Sequence, residues 1–282
     1  MIRKERLVAL LQRLVQTPSE NPPGNEEKIS KIIEEAFSSA GLDVRTISFE
    51  KNRPNVLGTL KGKSSENPII FVAHADTVPA GRGWDTPPFS GKIKDGKLYG
   101  RGATDDKCHV AMLAEVAKSM SEDKLIPKQD ILFLAMADEE SGGGAGLIPL
   151  LKNKSLPVKE AVVLDGDGFE ITIAQKGLMH AKATVFGKKA HGAYPHLGRS
   201  AIEDSAKIIC DLKDSPISNE KHPLLGDATI NIGTIYGGER VNIVADKCEF
   251  EIDARFAPPI SCNLIKEHMN KVIGRHSEKY KL

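Results

Sequence analysis

The sequence has no long apolar run. Its first residues, MIRKERLVALLQRLV, set charges between Leu and Val at helical spacing. They lack the continuous apolar core of a membrane anchor and the small-residue cleavage site of a secretory signal. Charge of one sign is missing too: 39 Lys and Arg oppose 38 Asp and Glu, a formal +1 at pH 7. Such a balance carries no global field toward nucleic acid or an anionic membrane. Cysteine is scarce, and Cys108, Cys210, Cys248 and Cys262 are widely spaced with no Cys-x-x-Cys pair. That suits reduced thiols better than a disulfide framework or a zinc ribbon. There is no internal repeat and no low-complexity tract. What these absences leave is a cytoplasmic, soluble globular protein, 40% apolar and 27% charged. Its 282 residues suffice for one large α/β domain or two smaller ones.

Apolar periodicity predicts amphipathic helices over 2–16 and 26–40, separated by the Pro/Gly/Asn breaker TPSENPPGN. Gly41 stands where a helix C-terminal cap is expected. Short β runs follow (LDVRTISF, NVLGTL, PIIFVAH), then a hairpin, KIKDGKLYGRG, turning on Asp95-Gly96. DDKCHVAMLAEVAKSM reads as a helix, DILFLAMAD as a buried strand, GAGLIPLLKN as a helix and EAVVLDGD as another buried strand. Strands alternating with helices predict an α/β fold with a mostly parallel, helix-covered sheet. The texture changes near 177. Alternating strands, a long helix over 199–214, two more strands and a helix over 262–282 predict a second, α+β domain of two strand–helix–strand units. The expected domains are 1–176 and 177–282.

In open α/β sheets, chemistry collects at the carboxyl ends of strands. Reading those positions yields His74 and Asp76 after IIFVA, then Asp138, Glu139 and Glu140 after ILFLAMA, and Asp165 and Asp167 after AVVL. Asp105 and Asp106 join them at the start of a helix. Each alone has an ordinary explanation: Asp105 as a helix N-cap, Asp165 as a turn former, the glutamates as loop charges. Gathered at one sheet edge, they would repel strongly unless a cation neutralised them. One imidazole among carboxylates suits zinc, manganese or cobalt better than calcium. Four acids with one histidine exceed a mononuclear site and suggest two metals sharing a carboxylate.

The segments HADTVP, WDTPPF, LYGRGATDDK, ADEESGG, AHGAYPHLGRSAI and GGERVNIVADKCEFEIDAR occur here in an order similar to that of a known family. It is the co-catalytic zinc metallohydrolases that include acetylornithine deacetylase, succinyl-diaminopimelate desuccinylase, aminoacylase and carboxypeptidase G. The resemblance covers nearly the whole chain. It implies a metal-dependent hydrolase that cleaves the amide bond of N-acyl amino acids or short peptides bearing a free carboxylate. It also implies one or two zinc ions per chain, with cobalt or manganese as substitutes, and a homodimer formed through the second domain.

The resemblance also assigns roles. His74 resembles a ligand of the first metal, Asp76 its orienting partner and Asp105 the bridging carboxylate. Asp165 resembles the residue completing the first metal's ligands, although Asp167 stands close by where the family often has Pro-Thr. Glu140 resembles a ligand of the second metal. Glu139 resembles the general base that moves a proton from the metal-activated water to the leaving amine, a division of labour that makes physical sense. From the second domain, His191 resembles the histidine that stabilises the oxyanion. Asn242 and Arg255 resemble residues that contact the substrate's carbonyl or carboxylate, Arg through its bidentate fork. His109, His180, His196 and His222 receive no role. Cys108 stands where many members have Gly.

Complete members return from the second domain to the first and add a histidine ligand for the second metal. The chain ends at Leu282, so the expectation is a first domain lacking those last elements. His268 and His276 are not convincing substitutes for that ligand. The competing expectations are a truncated, inactive relative kept for binding or dimerisation and a different di-metal hydrolase such as a phosphoesterase. Metal content and hydrolysis of N-acyl amino acids separate the first of these from an enzyme.

Overall fold

The structure, a computed structural model, describes residues 1–156, 158–165, 171–218 and 221–282. It divides into two units, Met1–Glu170 and Ile171–Leu282. Asp167 lies outside the described residues.

Unit 1 runs α1 (Lys4–Val15), α2 (Glu27–Ser39), β1 (Asp43–Ser48), β2 (Pro54–Leu60), β3 (Ile69–His74), β4 (Lys92–Lys94), β5 (Lys97–Tyr99), α3 (Lys107–Glu122), β6 (Ile131–Met136), α4 (Leu147–Lys152) and β7 (Glu160–Val163). Five strands form a sheet in the order β1-β2-β6-β3-β7. The sheet is mixed rather than mostly parallel. β3, β6 and β7 run parallel, whereas β1 and β2 pair antiparallel with each other and β2 pairs antiparallel with β6. The reason lies in the connections: no helix intervenes between β1 and β2, so the chain doubles back instead of crossing over.

Both faces of the inner strands are packed. Along β3 and β6 the alternation of side chains sends Ala73, Phe133 and Ala135 into a core shared with Leu14, Ile33, Phe37 and Val110 of α1, α2 and α3. It sends Ile70, Val72, Leu132, Leu134 and Met136 to the opposite face, with Leu150 of α4. β7 is different. The expected buried strand is exposed at all four residues, because among the described residues it is the sheet's edge, with β3 as its one partner. The β4–β5 hairpin turns on Asp95 and Gly96, at φ 52° and 73°, the left-handed pair that a tight hairpin demands.

Unit 2 comprises β8 (Gly177–Phe186), α5 (Ala201–Asp214), β9 (Thr229–Gly237), β10 (Lys247–Phe256), α6 (Cys262–His276) and β11 (Tyr280–Lys281). The strands form an antiparallel sheet in the order β11-β8-β10-β9. Both helices start on serine caps: Ser200 accepts from the Glu203 amide and Ser261 from the Leu264 amide. The helix expected to continue to 282 instead stops at His276, and Ser277 turns extended. β11 then pairs with β8, while the Phe186 amide donates to the Lys279 carbonyl. Backbone groups on the edge of β8 are thereby satisfied, which a longer helix could not do. All four cysteines are free thiols. Among the described residues no helix is long and apolar enough to cross a membrane.

Candidate metal centre

β3 delivers His74 from a buried strand to the carboxyl edge of the sheet, and the ring is almost fully buried. Nδ1 faces the main-chain carbonyl of Asp76 at 3.0 Å, with a carboxylate oxygen of Asp76 at 3.5 Å. A hydrogen on Nδ1 would serve both, leaving the Nε2 lone pair to point outward. Nε2 lies 2.9 Å from Oδ1 of Asp105, a hydrogen bond when the ring carries both protons and a place for a shared cation when it carries one. The donors of His74, Asp105 and Asp165 all lie within 4.8 Å of one another, Asp105 and Asp165 being exposed. Three segments far apart in sequence thus converge on one point with an imidazole and two carboxylates.

The electrostatics there favour positive charge. Burial pulls the His74 pKa down, but the hydrogen bond to Asp76 and the charges of Asp106, Asp76 and Glu139 prevail and push it up to about 10. The donor set and this field both fit a divalent cation of the zinc type. Glu139 and Glu140 sit just past β6, and their amides donate to the two carboxylate oxygens of Asp76 at 3.1 Å each. Burial raises the pKa of Glu139, helped by the charges of Asp165, Glu140 and Asp76 and opposed by His74. Burial raises that of Glu140 as well, and the charge of Asp105 adds to it. The Val78 amide donates to Oε1 of Glu140 at 3.2 Å.

Asp106, not Asp105, is the N-cap residue of α3, and it makes no side-chain cap bond. Its buried carboxylate accepts the His74 amide at 2.8 Å and makes a short contact with Nδ1 of His109. A second grouping, Asp106, Cys108 and His109, also brings its donors within 4.8 Å. Asp106 is already engaged there by the His74 amide and His109, and burial pushes the Cys108 thiol up to about 11.

In unit 2 the structure places His191 beside Asn242. The Gly192 amide donates to the Asn242 carbonyl at 2.8 Å, and His191 forms a bridge with Ile243. Arg255 is elsewhere. It lies near the far end of β10, about 27 Å from that strand's start at the ordinary rise per residue. Asp253 holds its fork through Nε at 2.7 Å and Nη2 at 2.9 Å.

Sequence reasoning passed over a buried polar group behind the centre. Asn21, from the supposed breaker, donates through Nδ2 to Asp76 at 2.8 Å and Asp138 at 3.0 Å. Arg53 pairs with Glu26 at 2.7 Å and Asp138 at 2.9 Å, its side chain only 9% exposed. A lone Asn ahead of two prolines and a lone Arg in a loop carry no periodicity, and only Asp138, after a buried strand, gave a signal.

An α/β sheet with a histidine–carboxylate cluster at its carboxyl edge, joined to an α+β unit, defines a metallohydrolase architecture. The profile of peptidase family M20/M25/M40 matches residues 70–280. The chain belongs to that family, and it is an enzyme of the metallopeptidase and amidohydrolase class. It is 26% identical to a succinyl-diaminopimelate desuccinylase of Acinetobacter baumannii, over 98% of this chain and 74% of that protein. Among solved structures it is similar to aminopeptidase PepT of Bacillus cereus, 28% identical with a TM-score of 0.74 over 100% of this chain and 76% of the other. It shares its fold with an M20 family metallo-carboxypeptidase of Sulfolobus solfataricus. There the TM-score is 0.82 at 18% identity, over 99% of this chain and 78% of the other.

Proposed function

We propose that this metal-dependent amide hydrolase cleaves N-acyl amino acids or short peptides with a free carboxylate, with zinc as its metal. The observation that carries the reading is the convergence of His74, Asp105 and Asp165 within 4.8 Å. The named activities of the desuccinylase relative and of the aminopeptidase and carboxypeptidase neighbours support the substrate class. His74, Asp105 and Asp165 would hold the first ion. Asp105, whose charge also acts on Glu140, would be shared with a second ion held by Glu140. A bound metal supplies Lewis acidity, polarising the scissile carbonyl and making water nucleophilic at neutral pH.

The remaining work belongs to side chains. Asp76 orients His74 and positions the Glu139–Glu140 segment. Glu139 takes the proton of the attacking water on its carboxylate and passes it to the leaving amine. His191 donates to the oxyanion and Asn242 beside it contacts the scissile carbonyl, while Arg255, at the far end of its strand, receives the substrate carboxylate on its fork from the other subunit of the dimer. A cytoplasmic homodimer formed through unit 2 completes the reading. Its support is the outer edge of β9, which pairs with no strand among the described residues and where Ile235 and Tyr236 are 48% and 72% exposed.

The test is hydrolysis of a panel of N-acyl amino acids and di- and tripeptides by the chelator-stripped chain, with and without added zinc. Zinc-dependent amide cleavage is expected, lost together with zinc binding in His74→Ala. Phosphoester cleavage without amide cleavage, or full metal binding by His74→Ala, would overturn it.

A further inference from the structure

We infer that Asn21 is a positioning residue for the metal centre, acting through Asp76 and Asp138; the inference rests on the metal-site reading above. Asn21 is 2% exposed. Its amide nitrogen has two hydrogens, and two different carboxylates take them, Asp76 at 2.8 Å and Asp138 at 3.0 Å. Its Oδ1 accepts the Ser141 hydroxyl at 3.0 Å. An ionised carboxylate only accepts, so the orientation of this amide is dictated by its neighbours.

What Asn21 grips is the frame of the site. Asp76 faces Nδ1 of His74 on one side and takes the amides of Glu139 and Glu140 on the other. Asp138 opens the segment carrying those glutamates, at a φ of 65° in the left-handed region that Asp tolerates. Arg53 shares Oδ1 of Asp138 with Asn21, at 2.9 Å, and the Ala145 amide donates to Oδ2 at 2.8 Å. Ser141 follows directly after Glu140. Asn21 therefore touches the histidine side and the glutamate side at once, and it places a neutral double donor between two buried carboxylates that would otherwise repel. No other side-chain chemistry does this at that size: Asp would add a third negative charge, and Leu would remove both donors.

The experiment compares Asn21→Leu, which keeps the branching at Cγ and removes both donors, with Ser141→Ala, which removes only the hydroxyl that steers the amide. Chelator-stripped protein is titrated with Co²⁺ alone, followed by its visible absorption, and then with Zn²⁺ in competition. The thermal midpoint of the metal-free protein is recorded beside it. We expect the metal dissociation constant to rise about ten- to a hundredfold in Asn21→Leu and about three- to tenfold in Ser141→Ala, with an altered cobalt spectrum in both. A residue that merely pins its own loop would lower the metal-free midpoint and leave the constants and the spectrum unchanged; that result overturns the inference. Should Asn21→Leu not fold, Ser141→Ala decides by the same criterion. His74→Ala is the reference. If it binds Co²⁺ as the parent does, the metal-site reading and this inference both fall. If it loses Co²⁺ while the other two keep it, only the inference falls.

Discussion

The amide of Glu139 donates to Oδ1 of Asp76 at 3.1 Å, so the backbone, rather than the glutamate side chain, anchors this segment to the site. Removing the carboxylate of Glu139 should therefore leave the metal's surroundings in place. Glu139→Ala is expected to keep its zinc, by elemental analysis after gel filtration, while turnover on an acyl amino acid falls on the order of a hundredfold or more. If Glu139→Ala loses zinc and Glu140→Ala retains it, the two roles are exchanged.

Asp165 contributes one of three converging donors from an exposed position, so its replacement removes a proposed ligand without opening a cavity. Asp165→Ala should weaken zinc binding at least tenfold and abolish turnover, with the metal-free thermal midpoint unchanged. Equilibrium dialysis and calorimetry check both halves. Unchanged zinc affinity would transfer the role to Asp167.

Arg255 is exposed, and Asp253 on its own strand holds its fork. Arg255→Ala should raise KM for carboxylate-bearing substrates roughly tenfold or more, the worth of a charged hydrogen bond. It should leave kcat and stability nearly unaltered. Arg255→Lys should recover only part, because the ammonium cannot reproduce the fork. Equal KM for substrates with and without the carboxylate would remove Arg255 from recognition.

Glu115 on α3 accepts from Arg6 at 2.5 and 2.9 Å, from the Arg3 amide at 2.7 Å and from Ser119 at 3.0 Å. Burial raises its pKa, but these partners outweigh it and bring it down to about 2 from the usual 4.5. A carboxylate depressed on folding contributes stability above its unfolded value and loses it as pH falls. The parent should thus lose stability between about pH 4.5 and 2, and Glu115→Gln should flatten that part of the profile. At pH 7 the variant should cost about 2–4 kcal/mol. Urea unfolding at several pH values measures both effects.

A β-carbon on Gly146 would stand 2.0 Å from the Ala137 carbonyl oxygen, across the base of the segment that bears Glu139 and Glu140. Gly146→Ala should therefore destabilise unit 1 by about 1–3 kcal/mol and weaken zinc binding together with it, read by thermal unfolding and cobalt titration.

Local chemistry wrote much of this into the sequence. The apolar run ending in His74 is a buried strand because five apolar or small residues precede the imidazole, and Asp95-Gly96 turns a hairpin because both residues tolerate positive φ. Helical periodicity placed α1, α2 and α5 within a few residues, and the ordered motifs of 74–255 already pointed to the family. Tertiary structure decided the rest. Strand direction at β1 and β2, the exposure of β7 and the short strand β11 depend on which neighbours a segment meets, and periodicity does not carry that information. The same holds within the centre. Asp105 and Asp106 are adjacent and chemically identical, yet one turns out to Nε2 of His74 and the other in to its amide. Asn21 reads as part of a loop breaker until a residue 55 positions away and another 117 away close on its two hydrogens. Hydrogen bonds between distant segments are settled by packing, and a side chain's neighbours in sequence say nothing of them.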